Sequence, residues 1–177
     1  MRILESERIL LKPIELEDLN FLLNLRWEQE VMNYLIHDPI SYKNQLDWFN
    51  NIKKTDVALS VFLKEENELK IIGTIGLYEI NARHQRAIWR IRLDPSQQGK
   101  GYATEAINLL LDYGFNTLNL NKIISDSFAN NIAIVNLTLK LGFKQEGLLV
   151  NHYFHKGEFR DAIQFGLLRK DFNCTKK

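Results

Sequence analysis

Gln98-Gly99-Lys100-Gly101-Tyr102-Ala103-Thr104 brings two glycines, a lysine and a glutamine into one short loop. Glycines spaced this way let a backbone turn sharply and come close to a ligand. Behind the loop the periodicity predicts a helix. Ala103, Ile107, Leu110, Gly114 and Leu118 fall on one side, and Glu105, Asn108, Asp112 and Asn116 on the other. Ahead of it, Ile88-Trp89-Arg90-Ile91-Arg92-Leu93 alternates apolar and basic residues as a strand does. A strand, a glycine loop and a helix N-terminus make a seat for an anion such as a pyrophosphate, because the free N–H groups of the first turn point into the loop. Lys100 adds a flexible counter-charge. The same two glycines would equally serve a tight strand-to-helix turn without a ligand. No Gly-Lys-Ser/Thr follows, so the loop is not a P-loop, and Thr104 stands where a dinucleotide fingerprint would carry its third glycine.

Other reactive side chains are scattered. The four histidines form no ligand set: His37 and His84 stand alone in loops, and His152 and His155 fall on opposite sides of a strand end. No His/Cys/carboxylate spacing suggests zinc, and no metal is expected. One cysteine, Cys174, rules out an internal disulfide and makes a reducing, cytoplasmic location the simplest expectation. A formal net charge of +1 argues against a nucleic-acid partner, and no apolar run approaches membrane-spanning length.

The elements that must position the loop can be read in order. Arg8–Pro13 reads as a first strand, and Glu15-Leu16-Glu17-Asp18 opens a helix through Leu19, Leu22, Leu23 and Arg26. Trp27 to Tyr42 is aromatic and irregular, and a second helix is expected around Gln45 to Ile52. Val57–Leu63 and Leu69–Tyr78 make a hairpin, with a turn region from Ile80 to Gln85. Lys122–Phe128 is a short strand, Ile134–Leu141 a helix ended by Gly142, and the last third gives two strands around His155-Lys156-Gly157. The expected organisation is a single domain over residues 1–172 with a polar tail, 173–177. The class is α/β, a mixed sheet with helices on both faces.

Gln98-Gly99-Lys100-Gly101-Tyr102-Ala103 resembles the Gln/Arg-x-x-Gly-x-Gly/Ala loop of the GNAT superfamily of N-acetyltransferases. The likeness covers nearly the whole chain. Asn131 through Leu141-Gly142-Phe143 is similar to the family's asparagine loop, fourth helix and Gly-Phe strand entry. Gly73–Asn81 and Tyr153–Ala162 resemble the branch of ribosomal-protein N-terminal, spermidine and nucleotide-amino-sugar acetyltransferases. The resemblance implies a mostly antiparallel sheet splayed between two parallel strands, here Trp89–Leu93 and Lys122–Phe128. Acetyl-coenzyme A is the implied co-substrate, its pantetheine arm pairing with the backbone of Ile91 and Leu93. Gln98, Gly99, Lys100, Gly101, Tyr102, Ala103 and Thr104 would hold its pyrophosphate, and Asn131 would hold cofactor or water or simply cap a helix.

Acetylating an alkylamine requires removing its proton and stabilising the thioester oxygen as charge develops. Many family members place a glutamate in the fourth strand, where this chain has Ile88, and a tyrosine in the fourth helix, where it has Thr138. Glu79, at the end of the preceding strand, is the expected substitute base. The expected acceptor is a small-molecule primary amine, a nucleotide-linked amino sugar ahead of a polyamine. A protein N-terminus and a non-catalytic acetyl-coenzyme A-binding module are the alternatives. A homodimer is left open.

Overall fold

The computed structural model describes residues 4–34, 40–66 and 68–172. His37, Asp38, Cys174 and the 173–177 tail fall outside the described residues. After the short strand β1 (Leu4–Glu5), the run Ile-Leu-Leu forms β2 (Ile9–Pro13). The two β-branched runs pair as a hairpin, β3 (Val57–Lys64) with β4 (Leu69–Asn81). Between β2 and β3 stand α1 (Leu19–Trp27), the single turn α2 (Gln29–Met32) and α3 (Tyr42–Asn50). The remaining elements are β5 (Arg86–Leu93), α4 (Tyr102–Asn116), β6 (Lys122–Phe128), α5 (Ile132–Lys140), β7 (Lys144–His155) and β8 (Glu158–Leu168).

All the strands join one sheet in the order β1-β2-β3-β4-β5-β6-β8-β7. Every neighbouring pair is antiparallel except β5 and β6. That parallel pair is short. Arg86, Ala87 and Ile88 face Lys122, Ile123 and Ile124, and there the ladder stops. Beyond it, residues 89–93 and 125–128 run on without pairing to each other. This is the splay that the resemblance implies.

The alternation of β4 and β5 sorts their side chains onto two faces. Ile75, Leu77, Trp89 and Leu93 turn into the main core, which α4 covers with Ala106, Ile107, Leu110, Leu111 and Phe115. Each fully buried Leu, Ile or Phe contributes about 1.5–3 kcal/mol. Gly114 lets the helix settle close, since a Cβ there would lie 2.9 Å from Ile123 Cδ1 and 3.1 Å from Leu77 Cδ1. The opposite face carries a smaller core of Ile14, Leu19 and Leu22, with Leu46, Trp48 and Phe49 of α3 against it. Asp18 anchors the start of α1, accepting from the buried Ser60 hydroxyl at 2.6 Å. Helices therefore lie on both faces.

Several boundaries move. α3 begins at Tyr42 rather than near Gln45, because Ser41 caps it and Asn44 returns the hydrogen bond. β4 continues past Tyr78 through a register break to Asn81. β7 continues past Val150 to His155, through a second break between Leu149 and Tyr153.

Candidate active site

Where the β5–β6 ladder ends, the two strands open onto a cleft of about 1290 Å³. On the α4 side it is lined by Ile91, Leu93, Gln98, Gly99, Gly101, Tyr102, Ala103, Thr104 and Asn131. Gly99 (φ 74°) and Gly101 (φ 87°) take the left-handed conformation that favours glycine. Gly101 is the residue from which α4 starts, and Glu105 N–H is the first to find an intrahelical acceptor, on Gly101 O at 3.2 Å. The N–H groups of Tyr102, Ala103 and Thr104 therefore have no acceptor within the helix. Asn131 lines the cleft and also caps α5, accepting from Ile134 N–H at 3.4 Å.

Lys100 is the member of the predicted set that does not line the cleft. Its Nζ donates to Gln97 Oε1 at 3.1 Å. A second cation braces the loop instead. Arg8 lies 4.9 Å from the centroid of the Tyr102 ring and donates to Glu105 at 3.2 Å and to Lys100 O at 3.3 Å. It comes from the far end of the sheet, so no local spacing announces it.

The other side of the cleft is the sheet face under α1 and α3. Thr74, Gly76 and Tyr78 pair with Arg92, Arg90 and Ile88, so these six share that face. The Tyr78 ring lies across Gly76, where a Cβ would come 2.8 Å from the ring. Arg90 stands 5.9 Å from the centroid of the same ring. Arg26 of α1 reaches down from above, its guanidinium 5.9 Å from the Trp48 ring centroid. Burial, and then the charge of Arg26, lowers Arg92 to about 10. Burial also lowers Arg26 and raises Tyr78.

Asp126 of β6 is on this face as well, two residues past the last β5–β6 pair, and it lines the cleft. The Tyr153 hydroxyl donates a short hydrogen bond to Asp126 Oδ2, and Phe128 packs edge-on to the Tyr153 ring at 5.5 Å. Burial first, and then that hydrogen bond, hold the phenol well above its ordinary range. The β7–β8 turn closes over the same side, Lys156 Nζ donating to Asn33 Oδ1 at 2.6 Å.

Glu79, the expected base, is not among the residues lining the cleft. Counting by twos along β4 fails there, because Glu79 adopts φ 53° within the register break between Tyr78 and Asn81. Its side chain is 61% exposed and ion-paired with Arg90 at 3.8 Å. Thr138 is on the buried side of α5, and Leu137 beside it lines the cleft instead. His152 packs on Tyr153 and His155 on Phe128, and neither lines the cleft. The residues that sequence reasoning missed are Asp126, Tyr153 and Arg92. For Asp126 the sequence held one weak sign, a lone acid within the strand Lys122–Phe128, and nothing in it pointed to the cleft.

A sheet parted at a parallel pair, with a glycine loop on one side and a polar chamber on the other, defines an acyltransferase of the GNAT fold. A family model described as acetyltransferase (GNAT) domain matches residues 8–144, and the chain belongs to that family. It is an acetyl-coenzyme A-dependent N-acetyltransferase. It is 33% identical over 167 residues to the spermidine N(1)-acetyltransferase of Vibrio cholerae serotype O1, covering 94% of this chain and 96% of that protein. To the spermidine N(1)-acetyltransferase of Escherichia coli K12 it is 34% identical over 172 residues, covering 97% and 92%. The crystal structure of the V. cholerae spermidine N-acetyltransferase in complex with CoA and spermine matches it with a TM-score of 0.86 at 31% identity. That match covers 94% of this chain and 98% of the other.

Proposed function

We propose that the chain acetylates a primary amine of a small molecule bound on the α1–α3 face of the sheet, with Asp126 taking the amine proton. The observation that carries this reading is the ladder broken after Ile88 and Ile124, with a carboxylate standing beside the break. The residues present suit acetyl-coenzyme A. Residues 89–93 leave backbone groups unpaired toward β6, which a pantetheine arm can fill as an added strand. The left-handed Gly99 and Gly101 and the free N–H groups of α4 suit its pyrophosphate. Bound there, it supplies an acyl group activated as a thioester.

The chain's own residues do the rest. An alkylamine is protonated at neutral pH, so it must lose one proton before its lone pair can attack; a second leaves the nitrogen as the amide forms and the C–S bond breaks, and departs on the coenzyme A thiol. Asp126 is placed to accept that proton, and Tyr153 holds the carboxylate in position through its hydroxyl. Backbone N–H groups of Trp89–Leu93 that face the gap would donate to a thioester oxygen held there. Glu79 becomes a rim residue in this reading, partnered by Arg90.

The charges on the cleft favour an acceptor with anionic character, such as a nucleotide-linked amino sugar. Among the described residues Arg26, Arg90, Arg92 and Lys140 line it, with Glu30 and Asp126 as the acids. The comparisons lend that sugar no support. A polyamine is the second reading, favoured by the relatives named as spermidine acetyltransferases. A homodimer would use the outer face of β7 and β8, where Leu148, Val150, Phe154 and Phe159 are exposed. The single cysteine of the sequence supports a cytoplasmic setting.

Thiol release from acetyl-coenzyme A, measured on a panel of amines that includes spermidine, uridine diphosphate amino sugars and a peptide N-terminus, tests the reading. Turnover on the amino sugar is the expected result. Turnover on spermidine alone selects the second reading, and on the peptide alone a protein acetyltransferase. Cofactor binding with no thiol release on any amine would leave a binding module.

A further inference from the structure

We propose that Arg26 and Arg92, with Gln45, form a subsite for an oxyanion carried by the acceptor, a phosphate or carboxylate set apart from the amine. The proposal rests on the reading of this cleft as the acetyl-transfer site. Both guanidiniums line the cleft on its α1–α3 side, one from α1 and one from β5. Among the described residues neither has a carboxylate partner; the ion pairs found there use Arg8, Lys64, Arg90, Lys122, Lys144 and Arg160. Arg26 Nε is buried with no hydrogen-bond acceptor, and Gln45, only 1% exposed, has a buried Oε1 with no donor.

Two guanidiniums with no carboxylate partner among the described residues are costly to hold out of water, and the charge of Arg26 adds to the cost at Arg92. Their lowered proton affinities are the electrostatic trace of that cost. An oxyanion between them would supply the missing counter-charge. The planar fork of arginine matches a phosphate or carboxylate through paired N–H donors. The Trp48 ring, 5.9 Å from the Arg26 guanidinium, holds that group in place from the side. Gln45 Oε1 adds an acceptor for a hydroxyl or N–H on the same molecule. A polycation in this position would meet like charge, with Glu30 the one acid that α1 to α3 contribute to the cleft among the described residues.

Calorimetry on the full chain saturated with coenzyme A, so that the glycine loop is already filled, reads binding at this subsite alone. Inorganic pyrophosphate and succinate are titrated separately. The wild type is expected to bind at least one of them, and Arg92→Met and Arg26→Met each to bind it roughly ten- to a hundredfold more weakly. Affinity for coenzyme A, measured first, should be unchanged in both. Arg92→Lys keeps the charge without the fork and should fall between wild type and Arg92→Met, which guards against a fold defect. Binding of pyrophosphate alone supports a phosphate-bearing acceptor, and of succinate alone a carboxylate-bearing one. No binding by the wild type, or undiminished binding in both Met variants, overturns the subsite while the transferase reading stands. If coenzyme A itself fails to bind, the reading of the cleft fails and the subsite falls with it.

Discussion

Asp126→Asn keeps the shape of the side chain at the end of the β5–β6 ladder and removes its basicity. Turnover should fall by about 10²–10⁴-fold, with affinity for acetyl-coenzyme A unchanged by calorimetry. Glu79→Gln should stay within a few-fold of wild type; the reverse ranking would return the proton to Glu79. Tyr153 offers a second readout. The carboxylate of Asp126 contributes to raising the phenol, so Asp126→Asn should bring one tyrosine's absorbance titration down toward the ordinary range. In the wild type the phenol's folded value lies above its unfolded value of 10.0. Its contribution to stability is therefore intact below that pH and is lost as pH rises toward the folded value. Alkaline melts should show a shallower loss in Asp126→Asn. At the other side of the cleft, Gly101→Asp puts a Cβ at φ 87° and a carboxylate against the pyrophosphate seat. Acetyl-coenzyme A binding should vanish in a chain whose circular dichroism is unchanged. The turn of the glycine loop was legible in the sequence because both left-handed glycines and the helix start fall within residues 98–104, whereas the bracing Arg8 lies outside that stretch. Asp126 was not, because its partner Tyr153 is 27 residues away and its position depends on where a ladder ends.

The elements were legible wherever burial repeats on a helix or strand period. α4 shows both the reach of that rule and its limit. Its inward residues Ile107, Leu110 and Gly114 were marked, but Ala106, Leu111 and Phe115 are buried too, because the face of α4 on the core is wider than one stripe. Bulges defeat counting altogether, and both in the acceptor region do so: the break in β4 turns Glu79 out, and the break in β7 falls just before Tyr153. Gly76 carried no signal beyond being a glycine in a strand. Its hydrogen leaves room for the Tyr78 ring and for Val57 O, which a Cβ would approach to 2.3 Å. Gly76→Ala should therefore destabilise the fold by about 1–3 kcal/mol in a denaturant melt, and it should also weaken acceptor binding by displacing Tyr78.

At the scale of the molecule, the order of strands divides the sheet into β1 to β5 on one side and β6, β8 and β7 on the other. This division was legible only through the family resemblance, since no periodicity tells where two parallel strands part. The two parts share a single ladder of three residue pairs, from Arg86↔Lys122 to Ile88↔Ile124. A seam that short predicts that the free protein breathes about residues 86–88 and 122–124. A co-substrate laid along the open edges then acts as a splint as well as a reactant. Among residues 89–93 and 125–128, the amide hydrogens that point into the gap rather than toward β4 or β8 should exchange with solvent faster in the free protein than those of the β3–β4 ladder. Acetyl-coenzyme A should slow them, and the β7–β8 turn that meets Asn33 should slow with them. Exchange that is equally slow with and without the cofactor would mean a seam rigid from the start, its stiffness supplied by α4 packed across both parts.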